Sequence, residues 1–92
     1  MPEQNLVVVT TSRDNPDEFK LTARSILRQE RRPDVWLVVD SSKRENASIV
    51  ADITTQNGGE YRWIPPEGVY PAMNWALHEI LPDDWVLFLN AS

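Results

Sequence analysis

The stretch Val35-Trp36-Leu37-Val38-Val39-Asp40-Ser41-Ser42 decides the fold. Five apolar residues follow one another without alternation and are rich in β branching. That is the pattern of a strand covered on both faces. Asp40 ends the run, and Asp-Ser-Ser is good turn chemistry. Upstream, Leu6-Val7-Val8-Val9 reads the same way and passes into the polar segment Thr10-Thr11-Ser12-Arg13-Asp14. Two doubly covered strands imply a parallel sheet, and parallel strands need a crossover between them.

The crossovers are legible as helices. Between the two strands, Asn15 suits an N-cap, Pro16 the first helical position and Glu18 a capping-box spacing. Phe19, Ala23, Ile26 and Leu27 then share one helical face. Arg28, Arg31 and Arg32 match the negative pole of the helix end. After Ser42, Asn46 opens a second helix with Ile49, Val50 and Ile53 on its apolar side, stopped before Asn57-Gly58-Gly59. Tyr61-Arg62-Trp63-Ile64 is a short third strand, broken by Pro65-Pro66-Glu67-Gly68. A third helix begins near Pro71, with Met73, Ala76, Leu77 and Ile80 at helical spacing. Trp85-Val86-Leu87-Phe88-Leu89 forms a fourth buried strand, and Asn90-Ala91-Ser92 follows it. The predicted order is β-α-β-α-β-α-β. The expected architecture is a three-layer α/β/α domain over residues 1–92, with a mostly parallel sheet and right-handed crossovers.

Ninety-two residues suffice for one core and no more. Nine basic against fourteen acidic residues give a formal charge of −5, which disfavours a nucleic-acid or anionic-membrane binder. Cysteine is absent, so disulfides and thiolate metal sites are excluded, and a cytoplasmic location is expected. No run approaches the ~20 apolar residues of a transmembrane span, and the first five residues lack signal-peptide character.

In open α/β sheets ligands bind beyond the carboxyl ends of the strands. Thr10, Thr11, Asp40, Ser41, Ser42 and Asn90 lie there. Asp40 has two readings of equal weight: a turn former or helix cap, and a hydrogen-bond acceptor for a sugar hydroxyl or a base N–H. Glycine-rich dinucleotide and phosphate-loop fingerprints are absent, the chain having three glycines in all. His78 is the only histidine and has no nucleophile beside it. Asp83-Asp84 precedes the fourth strand, at the wrong end of the sheet, and reads as a turn. Trp36, Trp63, Trp75 and Trp85 lack basic interleaving and read as core or boundary packing.

Two stretches resemble the start of family-2 glycosyltransferases. The first runs from Leu6-Val7-Val8-Val9-Thr10-Thr11 through Ser25-Ile26-Leu27-Arg28-Gln29 to Val38-Val39-Asp40-Ser41-Ser42. It is similar to the family's opening strand, its S-I-L-x-Q helix and its V-V-D-D-G-S strand end. The second is Gly68-Val69-Tyr70-Pro71-Ala72-Met73-Asn74 with Val86-Leu87-Phe88-Leu89-Asn90-Ala91-Ser92. It resembles the family's G-I-Y-D-A-M-N segment and the strand leading into F-L-N-A-x-D. The resemblance spans essentially the whole chain but only the first part of a family member.

The resemblance implies a Rossmann-like, GT-A-type domain that binds a nucleotide-diphosphate sugar for metal-assisted, inverting transfer to an acceptor hydroxyl. By position, Thr10, Thr11 and Arg13 would line the nucleotide end, and Asp40 with Ser41 would contact base or ribose. Asn74 would face the donor, and Asn90 with Ser92 would begin the metal motif. A complete member would use Mn²⁺ or Mg²⁺ to neutralise the departing diphosphate and would take a saccharide or lipid-linked acceptor. Here D-D-G-S is Asp40-Ser41-Ser42-Lys43, and the chain stops at Ser92, before the family's metal-binding Asp and catalytic base. The fragment alone is therefore expected to be inactive as a transferase. The alternative is a non-catalytic α/β binding or interaction module that keeps the fold.

Overall fold

The computed structural model describes residues 6–29, 32–65 and 85–91. The elements are β1 (Leu6–Ser12), α1 (Pro16–Arg28), β2 (Val35–Asp40), α2 (Arg44–Gln56), β3 (Glu60–Trp63) and β4 (Trp85–Asn90). They form an α/β domain whose four strands are all parallel, in the spatial order β3-β2-β1-β4. The expected helix beyond Pro71, and with it Asn74, Trp75, His78 and Asp83-Asp84, lies outside the described residues.

The continuous apolar runs of β1 and β2 behave as doubly covered strands, whereas β4, expected to be buried, leaves Leu87 44% and Phe88 45% exposed. Val8, Trp36 and Val38 pack with Phe19, Ala23 and Ile26 of α1 and Val50 of α2 on one face. Val7, Val9 and Leu37 are buried on the other, with Val35 and Val86 against them. Both described helices therefore lie on the same face. The chain steps β1 to β2 to β3 in one direction, and right-handed crossovers made in one direction fall on one side. β4 sits on the far side of β1, so the strand order reverses between β1 and β4.

Two boundaries differ from the sequence expectation for physical reasons. β1 runs on through Thr10, Thr11 and Ser12, because their backbones stay in register with Val38, Val39 and Asp40. The fully buried Thr10 hydroxyl accepts from the Trp36 indole Nε1 at 3.0 Å, which removes the cost of a polar group in the core. α2 starts at Arg44 rather than Asn46, because its first turn is capped from another loop: the Lys43 amide donates to Asp14 Oδ1 at 2.6 Å. α1 follows the expected signals, with Asn15 Oδ1 accepting from the Glu18 amide at 3.2 Å.

Two glycines have distinct tasks between α2 and β3. Gly58 adopts a φ of 78°, the left-handed conformation that ends a helix. Gly59 lets β3 pass close over Trp36: a Cβ there would lie 2.7 Å from Trp36 Cε3 and 2.8 Å from Thr54 Cγ2.

The centre of the helix-side core is the stacked pair Phe19 and Trp36, with ring centroids 5.9 Å apart and planes 9° from parallel. Phe19→Ala is expected to cost about 3–5 kcal/mol in urea unfolding. Trp36→Phe keeps a ring but strands the Thr10 hydroxyl, and is expected to cost about 1–3 kcal/mol. Unfolding midpoints unchanged by either substitution would contradict this core.

Candidate functional site

The carboxyl ends of β1, β2 and β4 form one edge. Thr11 is in register with Asn90, and Ser12 with Asp40. The ladder continues one step past the strands: the Ser41 amide donates to the Ser12 carbonyl at 3.0 Å, and the Ala91 amide to the Thr11 carbonyl at 2.8 Å. The expected edge residues Thr11, Asp40, Ser41 and Asn90 are thus brought together by backbone register.

Asp40 is fully buried. Its Oδ1 accepts from the Ser42 amide at 3.2 Å and from the Ser42 hydroxyl at 2.5 Å. Its Oδ2 accepts from the Tyr61 hydroxyl at 2.7 Å. The bond to the amide two residues on is the Asx turn that the sequence offered as one of two readings. Burial, then the hydrogen bond to Asp40 and the charge of Asp40, push the Tyr61 hydroxyl well above its ordinary value of 10.0.

Ser42 relays this anchor to the neighbouring loop. Its hydroxyl donates to Asp40 and accepts from the Asp14 amide at 2.8 Å. Its carbonyl accepts from Trp63 Nε1 at 2.8 Å. Asp14 holds a φ of 50°, a conformation that Asp tolerates better than most residues. Its Oδ1 accepts from the Lys43 amide and from Asn46 Nδ2 at 3.3 Å. The Lys43 backbone N–H holds the Asp14 carboxyl below its ordinary 3.8, and Asn46 and the charges of Lys43 and Arg13 act the same way. The loops after β1 and β2 are therefore clamped to each other across the edge.

The remaining expected site residues fall in different environments. Thr10 is in the core, with its hydroxyl given to Trp36. Thr11 and Ser41 are half-buried at the edge, and Arg13 is exposed in the loop after β1. Asn74 and Ser92 lie outside the described residues. Sequence reasoning did not single out Ser12, Asp14 or Tyr61. Ser12 is buried, and its Oγ has no hydrogen-bond partner among the described residues. The period of two along β1, which puts Ser12 on the same face as Val8 and Thr10, was the available signal. Among the described residues, no group of three His, Asp or Glu side chains is placed to hold a metal ion, and no helix is long and apolar enough to cross a membrane.

The clamp makes stability depend on pH at both extremes. Tyr61 is raised in the folded state, so its contribution is complete below pH 10.0 and is lost as pH rises towards the raised value. Asp14 is lowered, so its contribution is complete above pH 3.8 and is lost as pH falls through the lowered value. Tyr61→Phe leaves a buried carboxylate oxygen without its donor and is expected to cost about 1–3 kcal/mol at neutral pH. It should also flatten the alkaline limb of the stability profile, as Asp14→Ala should flatten the acid limb. Urea midpoints measured from pH 3 to pH 11 read both effects, and limbs identical to wild type would contradict them.

Comparison of the chain with protein-family models, with curated proteins and with solved structures finds no match.

Proposed function

We propose that this chain is the donor-nucleotide part of a sugar transferase similar to the family-2 glycosyltransferases, completed as a three-layer GT-A-like domain. One observation carries the reading. The strand order reverses between β1 and β4, and the polar ends Thr11, Ser12, Arg13 and Asn90 lie at that reversal. Ligands of open α/β sheets bind at such a point, outside the carboxyl ends of the strands.

In this reading the exposed Arg13 supplies positive charge to the diphosphate, which an acidic chain must provide locally. Thr11 and Ser41 offer hydroxyls, and Ser12 Oγ is a buried hydroxyl without a hydrogen-bond partner among the described residues. Asp40 acts chiefly through Ser42 and Tyr61, holding the loop that borders the nucleotide. Direct contact of Asp40 with base or ribose requires a ligand hydroxyl or N–H to replace one of those partners. The metal expected of a complete family member would neutralise the leaving diphosphate. The described residues do not assemble a donor set for it. The saccharide or lipid-linked acceptor belongs to the complete enzyme. The second reading, a binding module without catalysis, draws support from the same Asp40 geometry: its carboxylate is committed to the fold.

Calorimetric titration with UDP, with and without Mn²⁺, tests the proposal. Wild type is expected to bind, and Arg13→Ala, with an unchanged circular dichroism spectrum, to bind about tenfold more weakly through loss of a charge-assisted hydrogen bond. Asp40→Asn should weaken binding further if the loop it holds borders the nucleotide. No binding by wild type at millimolar UDP, or equal binding by all three proteins, would sink the assignment.

A further inference from the structure

α1 and α2 lie side by side on one face of the sheet, and both run back from its carboxyl edge. A groove of about 450 Å³ separates them, formed wholly by described residues of the two helices and the turn after α2. Because α1 joins β1 to β2 and α2 joins β2 to β3, the groove lies above β2, with β1 between it and β4. An extension of the sheet past β4 leaves it open. Its floor is apolar, made by Ala23 and Leu27 of α1 and Ile53 of α2.

The two walls differ in charge. Lys20, Arg24 and Arg28 stand on the α1 side. Their regular helical spacing makes them one row, with about 6 Å between neighbours. The α2 side is uncharged: Asn57 closes its end, with Nδ2 donating to the Ile53 carbonyl at 2.8 Å. Asp52 is two residues from both Val50 and Thr54, which are buried, and so faces solvent. The helix end accounts for Arg28 alone, since Lys20 and Arg24 lie inside α1. All three cations are exposed, and among the described residues none of them is engaged by a carboxylate. The formal charge of the chain is −5, so this positive row is a local feature.

We propose that this groove takes an acidic amphipathic helix of a protein partner. The helix lies along α1, with apolar side chains on the floor and carboxylates one turn apart against Lys20, Arg24 and Arg28. An apolar floor beside a row of free cations is complementary to an apolar ridge flanked by negative charge. Recognition of a helix in a groove reads anchors one turn apart along the bound helix, the same repeat that spaces the three cations. The shape selects a helix over a small molecule. The groove is open along its length, whereas a small-molecule site encloses most of its ligand. An anionic bilayer fits less well, because the rest of the chain is negative and a flat surface does not reach a floor set between two helices.

The test uses a synthetic peptide of about 18 residues, long enough to form a helix, with Leu at every third or fourth position and Glu beside it. A second peptide carries Lys for every Glu. In an NMR titration the Glu peptide should shift amides along the groove, those of Leu27 and Ile53 among them, and its binding should weaken as salt rises. The double variant Lys20→Glu with Arg24→Glu, its circular dichroism spectrum unchanged, should bind the Glu peptide at least about tenfold more weakly, a difference of ~1.4 kcal/mol. It should also acquire binding of the Lys peptide, which wild type lacks. Arg44→Glu, exposed at the start of α2 and outside the groove, should change neither. No binding of the Glu peptide by wild type at millimolar concentration overturns the proposal. Equal binding by wild type and the double variant overturns it too. So does flotation of wild type with phosphatidylglycerol vesicles that the double variant abolishes, which would give the groove to a lipid surface.

Discussion

A carboxylate out of contact with water must find its hydrogen bonds inside the protein, and Asp40 is completely buried. Its two oxygens take donors from two different elements: Ser42 in the loop after β2, and Tyr61 on β3. That requirement organises the whole carboxyl edge. Ser42, turned inwards to serve Asp40, accepts from the Asp14 amide, and Asp14 in turn caps α2 through Lys43. Removing the demand at Asp40 would release two loops and a helix start together. Two strands, β2 and β3, the loops after β1 and β2 and the start of α2 meet at this one set of bonds.

The sheet supplies the frame in which such a network is possible. β1 lies between β2 and β4, and its backbone is engaged on both sides along its length. The loop leaving β1 is therefore placed by two neighbours. The loop leaving β2 meets it at the ladder step from Ser41 to Ser12. Because each follows directly on the carboxyl end of a parallel strand, α1 and α2 both begin on the same edge as these loops. A polar edge over an apolar sheet follows directly from strands that end in Thr-Ser, Asp-Ser and Asn.

Much of this was legible in the residues. Continuous runs such as Val35 to Val39 identified doubly covered strands, and Asn15-Pro16 located the start of α1, because those signals are local. The turn made by Asp40 was also legible, though only as one of two readings, since the donor that completes it, Tyr61, lies 21 residues on. The cap of α2 was not legible at all. Its acceptor, Asp14, lies 29 residues before Lys43, and no local pattern connects them. Thr10 shows the same limit. As a polar residue after an apolar run it reads as an edge residue, yet a tryptophan on the neighbouring strand draws it into the core. Local spacing identifies elements, whereas the partners of buried polar groups are set by strand order.

Gly59 links the packing to the edge in a way that residue chemistry alone does not suggest. β3 can lie against Trp36 only because position 59 has no side chain. Tyr61 is two residues further along that strand, and its hydroxyl reaches Asp40 from wherever the backbone of β3 is set. The absence of one methyl group next to an indole ring thus acts as a spacer for a hydrogen bond at the carboxyl edge. Where Tyr61 meets Asp40 is inherited from how closely two apolar surfaces are allowed to approach.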